Sequence, residues 1–439
     1  MKIIISNSGR LQEERELTAI LENQSYGASV LVTELRDQIM LGFGAALTDS
    51  SCILINKMPE TERNALLEEI FAPDKGNFSV GRVCVGSSDY AAVPYHFAPV
   101  AEDTEMRHFD ASHDDADILP VLRAAREYNP DLFLFSSPWS PPGWMKTSGQ
   151  MQGGFMRQKY IKAYALYYLK FLQYYLKNGV RINGLTPQNE SETDQVSRMP
   201  ACIWHPELEM EFSLEMRKLL DENGFEDVKI WLMDHNFIMW RRAVFQMSNP
   251  DVRKACAGIA WHPYEGHPEM VDWFRREYPD AENHWTEGTV VPIDLSSIRN
   301  LDMSMGRLAE GFLQCIAHGI QSITLWNLAL DSEGYPTIGP FDCRGVFEIS
   351  RDGKSAVPSM EYHVMLHFTK YIKRGARRII LAPNAMPRNF SIEAFENPDG
   401  QIVAVVSNTE KHDSDFTLRV NGMCIPLHIL RQSVNTIIL

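Results

Sequence analysis

Residues 182–190 read Ile182-Asn183-Gly184-Leu185-Thr186-Pro187-Gln188-Asn189-Glu190. A short apolar run ends there on an amide and a carboxylate. The stretch before it, 155–177, has helical spacing, with Ile161, Ala165, Tyr168 and Leu172 on one face and Gly179 as its stop. Helix, glycine, buried strand and a polar residue at the strand end make one unit of an alternating α/β fold.

The unit recurs along the chain. Apolar runs fall at 41–48, 78–88, 132–137, 182–188, 228–234, 258–262, 283–286 and 320–328, eight in all. Further helical stretches at 60–71, 115–128, 206–223, 268–278 and 298–318 lie between them. Strands that are apolar on both faces belong to a parallel sheet. Eight such units in roughly 290 residues suit a (β/α)8 TIM barrel, which typically takes ~250 residues and tolerates insertions. A doubly wound sheet is the alternative from pattern alone, and it would normally use fewer strands.

The two ends read differently. From 379 to 439 the apolar period is two, and Asn397-Pro398-Asp399-Gly400 and Asn421-Gly422 supply turns. Residues 2–5 and 28–34 look alike in this respect. The expected architecture is α/β: an antiparallel β-sandwich domain built from both termini, 1–38 plus 372–439, appended to a catalytic barrel over 39–371.

Composition narrows the function. The 439 residues carry a net charge of −15, from 57 acidic and 42 basic side chains. Phosphate binding needs a surplus of Lys and Arg, so nucleic acids and anionic membranes are poor partners. No run of eighteen apolar residues is present, so no integral membrane association is expected. The N-terminal apolar run, Ile3-Ile4-Ile5, is too short for a secretory signal. Seven scattered cysteines without CxxC spacing read as reduced thiols, which points to the cytoplasm. Sequons at Asn23, Asn77, Asn189 and Asn389 are therefore expected to stay unmodified.

Catalytic groups of a barrel gather at the C-terminal ends of its strands. Glu190 closes the stretch Thr186-Pro187-Gln188-Asn189-Glu190 at the end of the fourth run. Glu287 follows the seventh, in His284-Trp285-Thr286-Glu287-Gly288. Two carboxylates across one mouth are what glycosidic cleavage requires, one to protonate the leaving oxygen and one to attack or to activate water. The other strand ends offer Asp89, Trp139, Trp144, Asp234-His235-Asn236, His262, Tyr264 and Trp326-Asn327. Aromatic faces cover the C–H side of a pyranose, and carboxylates and amides meet its hydroxyls. Arg82 lies inside an apolar strand, where an unpaired charge is very costly, so it needs a carboxylate partner.

Competing chemistries fit less well. Gly42-Phe43-Gly44 lacks the third glycine of a dinucleotide fingerprint and reads as tight strand packing. His262, His267 and His284 lack the i, i+4 spacing of a helical metal pair, so neither metal nor cofactor is expected. An inactive carbohydrate-binding barrel is the remaining reading of a different class.

Several segments follow one another in a recognisable order. They are Gly42-Phe43-Gly44-Ala45-Ala46-Leu47-Thr48-Asp49, Arg82-Val83, Ser88-Asp89, Ser137-Pro138-Trp139-Ser140-Pro141-Pro142-Gly143-Trp144-Met145-Lys146, 186–190, Thr286-Glu287 and Trp326-Asn327-Leu328-Ala329-Leu330. The chain resembles glycoside hydrolase family 30, the group that contains lysosomal glucosylceramidase. The resemblance implies a retaining β-glycosidase with Glu190 as acid/base and Glu287 as nucleophile. It also implies sugar contacts at Asp89, Trp144, Asn189 and Trp326, joined here by Trp139 and His262. Arg82 and Tyr264 would hold the nucleophile. On this reading Glu190 has a raised pKa and Arg82 keeps Glu287 ionised. The expected substrate is a small or oligosaccharide β-D-glucoside, with β-1,6-glucan, β-xyloside and β-fucoside as alternatives. His262-Pro263-Tyr264 replaces a His-Trp-Tyr, Gly288-Thr289 replaces Ala-Cys, and the loop 331–343 differs, which directs the expectation away from ceramide as the leaving group.

Overall fold

The computed structural model describes residues 1–21, 27–289, 304–386 and 390–439. Eight strands close a barrel: Gly42–Ala46, Val80–Cys84, Phe133–Ser137, Gly184–Leu185, Lys229–Asn236, Gly258–His262, Glu282–Trp285 and Ser322–Leu325. Each coincides with or overlaps one of the eight expected apolar runs. Gly44 shows how tightly neighbouring strands approach, since a Cβ added there would lie 1.7 Å from the Val80 carbonyl oxygen. The glycine therefore serves strand packing, as its incomplete fingerprint suggested.

Helix Glu60–Phe71 has the expected bounds, and Pro206–Asp221 nearly so. The helix expected from 155 begins later, at Ile161–Lys177, after a short 3-10 turn, Gln158–Tyr160. Met305–Ala317 occupies the later part of 298–318, whose start lies outside the described residues. Helices Asp49–Lys57, Trp240–Met247, Pro250–Ala255 and Met360–Thr369 have no counterpart in the sequence reading. Two of them, with 8 and 6 residues, are too short to display a helical period. Asp49–Lys57 opens on polar residues and is set by its cap, the Thr48 side chain accepting from the Ser51 N–H.

The chain divides into two compact units. One contains the described residues of 1–43, 304–322 and 358–439, and the other those of 44–289 and 323–357. The first unit takes in helices Met305–Ala317 and Met360–Thr369 as well as the terminal strands. Its strands form one ten-stranded sheet among the described residues. In that sheet Lys2–Asn7 lies between Arg10–Glu16 and Ser433–Ile438, antiparallel to both. One neighbouring pair, Ser29–Ile39 with Ser414–Val420, is parallel. Alternate residues such as Ile3, Ile5, Leu418, Val420, Ile425 and Leu427 share one apolar core, as a period of two requires.

His367 is fully buried in this unit, its ring nitrogens 2.8 Å from Thr436 Oγ1 and 2.8 Å from Ser6 Oγ. Burial pushes its pKa down to about 3. The unfolded chain takes up this proton near pH 6.5, so the stabilisation is complete above that value and is lost as pH falls toward about 3. We expect this group to steepen the decline of unfolding free energy by ~1.4 kcal/mol per pH unit in that window. Urea titrations from pH 7 to pH 4 check it, and a His367→Gln protein with the wild-type slope would refute it.

Among the described residues no helix is long and apolar enough to cross a membrane. All seven cysteines are free and buried.

Candidate active site

The fifth barrel strand sets the geometry. Met233 pairs with Ala260 and His235 with Trp261, which leaves Asp234 as an extra residue. Met233 and Asp234 have φ of +74° and +50°, in the left-handed region. Such a bulge re-aims a side chain. The Met233 N–H donates to Glu209 Oε1 at 2.8 Å, and Glu209 Oε2 accepts from Arg242 Nη2 at 2.6 Å. The Asp234 carbonyl accepts the Glu190 N–H at 2.9 Å, so the bulge also holds the turn beyond the fourth strand. Glu190 itself has φ +49°, a conformation that costs ~1–2 kcal/mol outside glycine.

The Glu209–Arg242 pair is almost completely buried. Glu209→Ala would leave the Arg242 charge short of a partner and the Met233 N–H unpaired. We expect it to destabilise the protein by ~3–5 kcal/mol, and chemical denaturation measures it. A loss below ~1 kcal/mol would mean that the pair does not hold the bulge.

Arg82 is the hub. Its Nη1 donates to Glu287 Oε2, its Nη2 to Asn189 Oδ1 at 2.8 Å and to Asp234 Oδ2 at 2.7 Å, and its Nε to Ser137 Oγ at 3.2 Å. Its guanidinium carbon lies 4.7 Å from the Trp139 ring centroid and 5.6 Å from that of Trp326. The two indoles stack at 4.8 Å and 20°. The carboxylate partner expected for Arg82 is thus two carboxylates. A guanidinium offers five N–H donors in a planar fork, and one glutamate cannot occupy them all.

Asp234 also accepts from Thr186 Oγ1 at 2.7 Å and Thr286 Oγ1 at 2.6 Å, and meets His262 Nε2 at 3.0 Å. Burial alone would raise its carboxyl, but Arg82, His262 and Thr286 hold it far below the usual carboxylate range. His262 Nδ1 lies 3.4 Å from Glu190 Oε1. Burial disfavours a charged imidazole, yet Glu287, Asp234 and Glu190 outweigh it and push His262 up to about 9. An imidazolium therefore bridges Asp234 and Glu190.

That bridge corrects the expected division of charge between the two glutamates. Burial works to raise Glu190, but the His262 hydrogen bond, the nearby histidine charges and Gln195 lower it. Glu287 is raised by burial and by the Glu190 and Asp234 charges, against the pull of His262 and Arg82. The direction expected for Glu190 is thus reversed, and the surrounding carboxylates favour the protonated form of His262. Tyr264 donates to Glu287 Oε1 at 3.0 Å.

Glu190, His262 and Glu287 each offer a donor atom within 4.8 Å of the others, the one such grouping among the described residues. Both His262 nitrogens face carboxylates, and Arg82 and Tyr264 engage Glu287, so the set is arranged to share protons.

Asp89 lies beside this group. Its carbonyl accepts from the N–H groups of Ile338 at 2.8 Å and Gly339 at 3.0 Å. Its Oδ1 is buried without a partner among the described residues. Burial and the charges of Glu287 and Glu190 push its carboxyl well up. A buried carboxyl oxygen without a partner suits a sugar hydroxyl. Trp144 is placed differently: its indole N–H donates to the Ala98 carbonyl at 3.1 Å and its ring packs edge-on against Tyr160. Only its ring surface remains for a ligand. Thr186, Thr286, Ser137 and Gln195 carry no mark in the sequence that would single them out. Asn189 is buried with its amide oxygen on Arg82, which suits an unmodified sequon. Asn23 and Asn389 lie outside the described residues.

The geometry can be set against known proteins. The glycosyl hydrolase family 30 TIM-barrel domain matches residues 40–372, and the family's beta sandwich domain matches residues 375–437. An endo-1,6-beta-D-glucanase of Neurospora crassa is 29% identical over 78% of this chain and 72% of its own. The lysosomal acid glucosylceramidase of Mus musculus is 27% identical over 92% of this chain and 82% of its own. The crystal structure of SrfJ from Salmonella typhimurium superposes with a TM-score of 0.92 at 24% identity, covering 100% of this chain and 99% of that one. Both domains of the family thus occur in order along one polypeptide, and the chain, a glycoside hydrolase, belongs to glycosyl hydrolase family 30.

Proposed function

We propose that the protein is a retaining β-glucosidase for β-D-glucosides whose leaving oxygen belongs to a primary alcohol. One observation carries the mechanism: one carboxylate oxygen of Glu190 and one of Glu287 lie within 4.8 Å of each other. Double displacement uses carboxyl groups ~5–5.5 Å apart, whereas inversion leaves ~6.5–9.5 Å for a water. In the first step Glu287 attacks the anomeric carbon and the bond to the leaving oxygen breaks. Glu190 passes a proton to that oxygen, drawn from His262 Nδ1. Glu287 becomes a neutral ester, and His262 becomes neutral with it, so the net charge of the site does not change. In the second step water attacks the ester, Glu190 takes its proton, and the proton returns to His262. Asn189 commits its amide oxygen to Arg82 and keeps its NH2 for the sugar 2-hydroxyl. Asp89 receives a more distant hydroxyl.

The aglycone proposal joins the named activities of the two relatives. Glucosylceramide and β-1,6-glucan share a β-glucosyl group and a leaving oxygen on a CH2 carbon. Such alkoxides leave poorly and depend on a proton. Activity should persist to the alkaline side and fall as His262 loses its proton at about pH 9.

A substrate panel tests the proposal. β-1,6-Linked glucose oligosaccharides should exceed β-1,3- and β-1,4-linked ones in kcat/KM by at least about tenfold, with the β-anomer released first. Glucosylceramide in detergent probes the lipid counterpart. Release of the α-anomer, or a preference for aryl β-xylosides or β-fucosides, would overturn it.

A further inference from the structure

Both carboxylate oxygens of Glu190 are occupied. Oε1 faces His262 Nδ1 at 3.4 Å, and Oε2 accepts from Gln195 Nε2 at 2.7 Å. The two partners differ in freedom. His262 is fully buried at the end of a barrel strand and tied to Asp234. Gln195 opens an irregular turn in which Gln195, Val196 and Ser197 all have left-handed φ, 51°, 53° and 56°. None is glycine, so each is held at a cost in free energy. The turn is closed by the Asp194 side chain accepting from Val196 N–H at 2.9 Å, and the Val196 side chain stands in solvent. Next to it, the Arg198 guanidinium sits 6.0 Å from the Phe341 ring centroid.

From this we infer that Gln195 is a gate on the leaving-group side of Glu190: its amide caps the carboxylate in the free enzyme and turns away to admit the leaving oxygen. The inference rests on the reading of Glu190 as acid/base. His262 passes its proton to Oε1, Gln195 yields its place at Oε2, and a half-turn of the carboxyl group presents the new O–H to the leaving oxygen. A neutral donor on Oε2 favours ionised Glu190, the form that activates water in the second step and opposes protonation of a leaving group in the first. Relaxation of the left-handed turn would accompany opening. After departure of the leaving group, the amide returns to hold the carboxylate as a base.

The test compares Gln195→Ala and Gln195→Glu with the wild type. The substrates are an activated dinitrophenyl β-glucoside, which needs no acid, and the best unactivated β-glucoside of the panel. For the unactivated substrate, Gln195→Ala should lower KM at least about threefold and move the alkaline limb of kcat/KM up by at least about half a pH unit. Gln195→Glu should move the limb further, because a second carboxylate disfavours ionisation of the first. On the dinitrophenyl glucoside KM should fall as well, because its leaving oxygen enters by the same place, while the alkaline limb should not move, since that departure needs no acid. An unchanged KM and an unchanged limb in both variants overturn the gate. Glu190→Gln, assayed alongside, separates the two ideas. If it retains full activity on the unactivated substrate, the acid/base assignment fails. If it is inactive there while the Gln195 variants behave as wild type, the gate alone fails.

Discussion

Glu287→Gln is expected to end turnover of every β-glucoside, activated or not. The substitution keeps volume and hydrogen-bonding shape but removes the nucleophile, so no glycosyl-enzyme can form. Glu190→Ala should act selectively. On unactivated substrates the loss of proton transfer should lower kcat by ~10²–10⁴. On a dinitrophenyl glucoside the first step proceeds without an acid, and the glycosyl-enzyme accumulates. Azide fits the space vacated by the carboxylate and needs no base, so it should restore turnover and yield the β-glucosyl azide. The configuration of that product reports two inversions. Full activity of either variant on unactivated glucosides, or an α-azide, would sink the assignment. A 2-fluoro glucoside should leave its label on the peptide that contains Glu287.

Arg82→Met should lower stability and activity together. Arg82 is fully buried and joins Asp234 and Glu287, themselves buried. Removing the cation leaves two carboxylates facing each other without it, at an expected cost of ~3–5 kcal/mol. Arg82→Lys is informative because it returns the charge without the fork. An ammonium on a flexible stem cannot reach Ser137, Asn189, Asp234 and Glu287 together. It should regain part of the stability while kcat stays at least about a hundredfold low, since Glu287 is no longer oriented. Adding Asp234→Asn to Arg82→Met should recover stability and not activity. Urea unfolding and steady-state kinetics on an aryl glucoside read both quantities. Wild-type stability in Arg82→Met would show that the hub is dispensable.

The barrel was legible because its strands are covered on both faces, which leaves unbroken apolar runs such as Gly258–His262. The two glutamates stood out only as a pair, each just beyond such a run, because a lone glutamate there is usually a surface or helix-start residue. Asp234 stood among the polar strand-end residues, but its part in pairing Arg82 depends on a bulge. That bulge puts Met and Asp, and no glycine, in the left-handed region, so no residue type announced it. Gln195 lies in the uniformly polar stretch Ser191-Glu192-Thr193-Asp194-Gln195, where nothing distinguishes one side chain from the next. The protonation pattern was missed because it follows from distances around His262, which no linear spacing encodes.

The placement of Lys2–Asn7 between Arg10–Glu16 and Ser433–Ile438 has a consequence for biosynthesis. Lys2 stands opposite Ile438, so the two partners are synthesised far apart in time. Ile3, Ile4 and Ile5 are all buried in the finished sheet, yet during synthesis one edge of their strand has nothing to pair with. A barrel strand and the next one can meet as they emerge, because few residues separate them. The pair Lys2–Asn7 and Ser433–Ile438 closes over a very long stretch of chain, the kind of long-range contact that slows folding. Until then the nascent chain carries an apolar strand with an open edge, open to mispairing with other chains. Completion of the sheet thus waits until Ser433–Ile438 has been made, and the interval before it is when the protein most needs a chaperone.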